Sequence, residues 1–210
     1  MRIASQAIRL NMRPRPRKQV TQGIYGMPPI QRRVEHRNMG LWQRLAGRKA
    51  ENPAAALYQA VVARGREPHW YQAGAVPDTV NGRFDTIASV LAVVLLRLEA
   101  EPTAAETIAR LIECFVDDMD GQLRQIGIGD VVVGKRMGKM MGLLGGRLGA
   151  YRDALVTGTG SLEGAVLPNL YRAGDPGAAA LAHSAGELRA LHTVLANVEL
   201  DALMAGRLSA

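Results

Sequence analysis

The chain has 210 residues, a formal net charge of +7, 48% apolar residues and only 4% aromatic residues. This length and apolar content exclude a fully disordered protein and predict a single domain with a tail, whose core is built from aliphatic side chains. The single cysteine excludes an internal disulfide framework and a cysteine-based zinc site, and the four separated histidines offer no metal cluster, so we expect neither metal nor cofactor. These five residues are Cys114, His36, His69, His183 and His192.

The positive charge is confined to the first quarter of the chain. Residues 1–50 contain twelve Lys and Arg residues and one acid, whereas residues 51–210 contain fourteen Lys and Arg residues and eighteen acids. The basic composition therefore describes an N-terminal segment and not the folded part, and we expect no specific DNA binding.

Residues 1–38 are predicted to form a flexible basic arm that packs poorly. The arm contains four prolines and lacks the apolar stretch of a secretory signal. Three interpretations remain open: the arm binds phosphate groups or anionic lipid, it targets the chain to an organelle, or it either has little role or is not translated because synthesis starts later, for example at Met39.

Residues 39–210 read as a helical domain, because apolar residues recur at helical spacing between Gly and Pro breaks and no strand alternation is sustained. We therefore predict an all-α, single-domain bundle of about six or seven helices. The predicted helices span residues 39–46, 52–64, 84–99, 103–125, 131–156, 162–171 and 176–205, with a short helical turn after Pro68.

Local signals predict where several of these helices begin and end. Asn52 is expected to cap the second helix, and Thr103 with Glu106 forms a capping-box pattern before the fourth. The fourth helix is expected to stop in a turn containing Gly127 and Gly129. Four residues are assigned structural roles, namely Asp118, Gly127, Gly129 and Asp130, the last as a helix cap.

The helix over residues 84–99 is the most apolar of the chain. Its apolar run of about 13 residues is shorter than the roughly 20 needed to cross a bilayer, and it ends in Arg97 and Glu99. We therefore expect a buried central helix.

A polar turn, PDTVNGRFD over residues 77–85, precedes that helix. It contains Asp78, Arg83 and Asp85 around an Asn-Gly pair that predicts a tight turn. Two interpretations stay open: an arginine–carboxylate fork pins the loop, or the three charges recognise a partner.

The fourth helix carries the acidic sequence DDMD. Asp117 and Asp120 point outward with Arg124 nearby, and we count all three as candidate partner-binding residues. Asp118 falls beside the apolar face, where an unpaired carboxylate is costly, so a cation partner is expected. The candidate cations are Arg83, Lys135 and Arg136.

The helix over residues 131–156 separates a core stripe from a glycine stripe. The glycines are Gly134, Gly138, Gly142, Gly145, Gly146 and Gly149. They are flanked by Lys135, Arg136 and Lys139, which are candidate partner-binding residues. Either a neighbouring helix approaches the glycines closely, or the glycines form the bottom of a groove that binds a client helix.

Several blocks together resemble the ubiquinol–cytochrome c chaperone family. These are LYQAVVARGREPHWY, GAVPDTVNGRFD and DDMDGQLRQIGIGDVVVGKRMGKM, followed by GRLGAYRDAL, in that order over residues 57–155. The resemblance implies an all-helical protein without catalytic activity. It also implies an assembly factor for ubiquinol–cytochrome c reductase that binds newly synthesised cytochrome b.

The resemblance further implies a ribosome contact, a second small assembly subunit and peripheral contact with the inner membrane. We expect a cytoplasmic location at the inner face of that membrane in a bacterium, or the mitochondrial matrix in a eukaryote. The alternative is a peripheral protein whose basic arm binds ribosomal RNA or the anionic membrane surface.

Overall fold

The computed structural model describes residues 52–125, 130–172 and 174–209. Within these ranges the regular elements are helical, which confirms the all-α prediction. The helices are α1 Ala55–Gly65, α2 His69–Gln72, α3 Val80–Glu99, α4 Ala105–Gln125, α5 Asp130–Arg152, α6 Leu162–Val166, α7 Ala178–Leu195 and α8 Leu200–Met204. The π-helical segments Asp153–Thr157 and Leu167–Tyr171 continue α5 and α6. The predicted arm (1–38) and the helix predicted at 39–46 lie outside the described residues.

Helix α3 forms the centre of the core, as its apolar sequence predicted. Most of its residues are buried, and α1, α4, α5 and α7 pack around it. Burial of aliphatic side chains on all sides of one helix is the main source of stability in such an arrangement. None of the described helices is both long enough and apolar enough to cross a membrane.

Helix α3 begins four residues earlier than predicted. The Thr79 hydroxyl caps it by accepting a hydrogen bond from the Gly82 N–H at 3.1 Å. The tight turn predicted at Asn81 and Gly82 is therefore wrong, because both residues lie in the first turn of the helix. Gly82 is required there, since a Cβ atom would collide with the carbonyl oxygen of Pro77.

The start signals predicted for α1 and α4 both placed the beginning of the helix too early. Asn52 Oδ1 accepts a hydrogen bond from the Ala54 N–H at 2.9 Å, but α1 begins at Ala55 with Ala54 as its N-cap, so the predicted cap at Asn52 is wrong. The capping box at Thr103 is wrong, because the Thr103 hydroxyl donates to Glu101 at 3.3 Å and α4 begins at Ala105.

The single helix predicted over residues 176–205 is in fact α7 and α8. Arg97 of α3 donates to the carbonyl of Leu195 at 2.9 Å and to that of Val198 at 3.1 Å. These bonds satisfy backbone carbonyls at the end of α7, where a helix has no internal donors left. The Leu195 carbonyl also accepts a hydrogen bond from the Val198 N–H at 3.1 Å, so backbone and side-chain donors together hold the turn after α7.

Candidate partner-binding surface

The polar turn before α3 contains an exposed ion pair. Arg83 Nε lies 2.6 Å from Asp78 Oδ1, and both side chains are 58% exposed. The hydrogen bond from Arg83 lowers the pKa of Asp78 and, reciprocally, raises that of Arg83. The predicted arginine–carboxylate pair is therefore present, with Asp78 as its acid, and it stays accessible to a partner.

Asp85 belongs to the interior, which corrects its assignment as a partner-binding residue. It is 2% exposed, and its two carboxylate oxygens accept from Arg147 Nη2 at 3.0 Å and from Arg172 Nε at 2.7 Å. This buried triad of Asp85, Arg147 and Arg172 joins α3 to α5 and to the segment after α6. Asp85 therefore holds helices together and cannot contact another protein in this conformation.

Arg147 lies at a core position of α5, and sequence reasoning missed it. It is 2% exposed, and its Nη2 also donates to the carbonyl of Asn169 at 2.7 Å. Met140, Leu144 and Tyr151 are the buried neighbours of Arg147 along the same stripe of the helix. An arginine at helical spacing among core residues was the available signal for a buried cation.

The one carboxylate and two guanidiniums of the triad give this buried group a formal net charge of +1. Among the described residues, Nε and Nη1 of Arg147 and both Nη atoms of Arg172 lack a hydrogen-bond partner. Tyr151, another buried polar residue of α5, donates a hydrogen bond from its hydroxyl to Ser89 Oγ at 3.0 Å. Burial raises the pKa of Tyr151, so this phenol stays neutral and acts as a donor.

Asp118 is half-buried, but its described partners are not cations. Its carboxylate accepts from the Tyr58 hydroxyl at 2.7 Å and from Gln122 Nε2 at 3.0 Å. The predicted cation partner is wrong, because α1 packs on α4 and brings a phenol to this edge. Burial, and then the bond to Asp118, raise the pKa of Tyr58, which keeps the hydroxyl protonated.

The other acids of α4 face outward. Asp117 is exposed, and Asp120 accepts a hydrogen bond from Arg124 Nε at 2.6 Å across one turn of the helix. Exposed pairs of this kind contribute about 0–1 kcal/mol to stability, so the pair of Asp120 and Arg124 is not needed to hold the fold together. Gly127 and Gly129 lie outside the described residues, as does the side chain of Asp130, the first residue of α5.

Helix α5 has one buried side and one bare side. Val133, Met140 and Leu144 are buried, whereas Lys135 and Lys139 are exposed and Arg136 is half-exposed. A Cβ atom added at any of the six glycines would meet no described atom within 4 Å. Close approach of a described helix is therefore excluded as the reason for these glycines, and the glycine stripe lies open beside the two lysines.

A second open surface is a groove of about 630 Å³ between the C-terminal ends of α3 and α5 and helix α7. Leu96, Leu155 and Val156 supply apolar lining, and Val156 is 58% exposed. Arg152 and Glu99 form an ion pair of 2.8 Å at its rim. The groove was not among the predicted sites, because its π-helical wall has no sequence signature of its own.

Two of the four histidines are close in space, contrary to the expectation from their separation in sequence. His69 Nδ1 of α2 lies 3.1 Å from His183 Nε2 of α7. Helix packing brings them together across 114 positions of sequence.

Comparisons with known proteins fit this architecture. The crystal structure of the Cbp3 homolog from Brucella abortus aligns with a TM-score of 0.65 and 29% identity, covering 80% of this chain and 96% of that chain. No curated protein matches. A family described as ubiquinol–cytochrome C chaperone matches residues 72–210, which extends past the blocks that end at Leu155. The chain therefore belongs to the ubiquinol–cytochrome c chaperone family.

Proposed function

We propose that this non-enzymatic chaperone of ubiquinol–cytochrome c reductase assembly binds newly synthesised cytochrome b. The family match over residues 72–210 supports the client complex. The observation that supports a client-binding surface is the bare side of α5, where the glycine stripe lies beside Lys135 and Lys139. A soluble helical domain of this size can shield one segment of an apolar client until further subunits cover it.

The bare side of α5 suits a helical client for two reasons. Glycine lacks a side chain, so the backbone of a partner helix can approach α5 closely over this stripe. The neighbouring lysines attract acidic loops or anionic headgroups and increase the association rate, while contributing little to the fold. The pair formed by Asp78 and Arg83 supplies further exposed charge at the start of α3.

The test reverses the charge on α5. We expect Lys135→Glu combined with Lys139→Glu to give a folded, soluble protein that fails to support reductase assembly. The measurement is the reduced cytochrome b and c absorption of membranes from a deletion strain complemented with the variant. Circular dichroism and immunoblotting of the same variant establish that it is folded and present at normal abundance.

A matched control reverses two exposed arginines that lie outside the helices, just after α1 and α8. Arg66→Glu combined with Arg207→Glu changes the net charge by the same amount, and we expect it to complement the deletion strain. Normal cytochrome signals from the α5 variant would remove this face from the client site. The exposed pair of Asp78 and Arg83 would then be the next surface to test. The measurement is whether a tagged copy with both residues substituted still captures cytochrome b.

The basic arm supports a second proposal, contact with the membrane surface or with ribosomal RNA. Its support is the excess of Lys and Arg in the first 50 residues. Removal of residues 1–38 is expected to abolish salt-dependent binding to anionic vesicles and ribosomes. Client capture that survives this truncation assigns cytochrome b binding to the helical domain, and client capture that is lost assigns it to the arm.

A further inference from the structure

A cluster of potential metal ligands lies where α2 meets α7. His69 Nδ1 and His183 Nε2 are 3.1 Å apart, and Glu187 follows His183 by one helical turn. One ligand atom from each of the three residues lies within 4.8 Å of the other two. The three side chains are half-buried, so an ion can reach them from solvent.

The spacing of the two imidazoles matches a shared ion. Nitrogen ligands bound at about 2.0–2.1 Å in a tetrahedral zinc site lie roughly 3.3 Å from one another. The observed separation of 3.1 Å between the ring nitrogens is within a few tenths of an ångström of that value. Glu187 Oε2 lies 3.9 Å from the other ring nitrogen, His69 Nε2, so its carboxylate must move toward the Nδ1 side to reach the same centre. A change of the Glu187 rotamer can supply that movement, because positions i and i+4 share one helix face.

Glu67 supplies the outer contact that metal-bound histidines commonly have. Its carboxylate lies 3.1 Å from His69 Nε2. When His69 donates its Nε2 proton to Glu67, the Nδ1 lone pair points toward His183 and can bind a cation. Carboxylate–histidine–metal arrangements fix the ring tautomer and orientation in this way.

Arg64 balances the charge of this cluster. It contacts Glu67 at 2.5 Å and Glu187 at 3.0 Å, so the two carboxylates share one guanidinium. A bound divalent ion would compete with Arg64 for Glu187. Arg64 is therefore expected to weaken metal binding without blocking it.

We propose that His69, His183 and Glu187 form a binding site for a divalent first-row metal ion, with Zn²⁺ as the best match, and that the ion links α2 to α7. Two imidazoles and a carboxylate are ligands that Zn²⁺ accepts, with a fourth position left for water. An ion that binds only the folded state raises its stability by mass action. The proposal is independent of the client of the chaperone.

The test uses the full-length protein and Zn²⁺ alone. Affinity is measured by competition with a chelating dye, and the thermal midpoint is recorded with and without the ion. We expect His183→Gln and Glu187→Gln each to weaken zinc affinity at least tenfold and to remove most of the zinc-dependent rise in midpoint. The glutamine at position 183 can still donate to His69, which preserves the packing.

The matched control is His192→Gln, which changes a histidine on the same helix outside the cluster and should leave zinc affinity unchanged. Arg64→Gln should increase it. His183→Cys should retain binding, and with Co²⁺ it should add a thiolate-to-cobalt charge-transfer band that the unsubstituted protein lacks. Zinc affinity unaffected by His183→Gln and Glu187→Gln would overturn the proposal, as would absence of that band.

Discussion

Two aspartates near the start of α3, Asp78 and Asp85, illustrate how environment decides the role of a side chain. Asp78 is exposed and has one arginine partner, whereas Asp85 is buried and has two. An ion pair in water gains little, because solvent already stabilises both charges. Removal of one member of a buried group is costly, because the remaining charge keeps its desolvation penalty and loses its partner.

The aspartates should therefore differ sharply in their effect on stability. We expect Asp85→Ala to reduce the free energy of unfolding by about 3–5 kcal/mol, because two buried guanidiniums lose their counterion. Asp78→Ala, the control at the exposed pair, should change it by at most about 1 kcal/mol. Urea denaturation followed by circular dichroism measures both values. Equally small losses would show that the triad contributes nothing to the fold.

Charged residues were also where prediction from sequence was least complete. The position of Asp118 at the edge of an apolar face correctly indicated partial burial, but not that Tyr58 and Gln122 would satisfy it. Those partners depend on which helices pack together, and a helical wheel does not contain that information. Arg147 is different, because its place in the core stripe of α5 was readable from spacing alone.

At the scale of elements, α5 combines a poor helix-forming sequence with an ordinary helical conformation. Interior glycine costs about 1 kcal/mol relative to alanine, because its backbone loses more freedom on folding. The core contacts of Val133, Met140 and Leu144 therefore hold the helix in place. Propensity is outweighed here by packing.

Substitution of glycine by alanine should separate the effect of helix propensity from the effect of core packing on stability. We expect Gly138→Ala and Gly145→Ala each to stabilise the protein by up to about 1 kcal/mol, because their added methyl groups meet no described atom within 4 Å. Gly82→Ala is the opposite control, since its Cβ would collide with Pro77 and should destabilise. Thermal denaturation reports all three variants. Destabilisation by Gly138→Ala would mean that something outside the described residues occupies the bare side of α5.

Helix boundaries show the same division between local and distant causes. Asn52 forms a local hydrogen bond because its side-chain oxygen needs only the next residues of the chain, although α1 itself begins later, at Ala55. The end of α7 was missed because Arg97, a residue of α3, supplies the donors. The central position of α3 was predictable, since an apolar run of that length must be buried on all sides.

At the scale of the whole molecule, the arm and the helical domain are expected to be independent. The family match begins at residue 72, and the first 38 residues are basic and interrupted by proline. We expect removal of residues 1–38 to leave the thermal midpoint unchanged within error. A decrease of more than about 4 °C, equivalent to roughly 1–2 kcal/mol for a domain of this size, would show that the arm packs against the helices.

The bare, glycine-rich side of α5 also affects how readily this helix opens locally. Because α5 has core contacts on one side and six glycines without described neighbours on the other, we expect it to open locally at lower free energy than α3, most of whose residues are buried. Its amide hydrogens should exchange with deuterium sooner than those of α3, and a client lying along the glycines should slow that exchange. The surface proposed to hold the client would then be ordered by the client, and release of the client would restore its mobility.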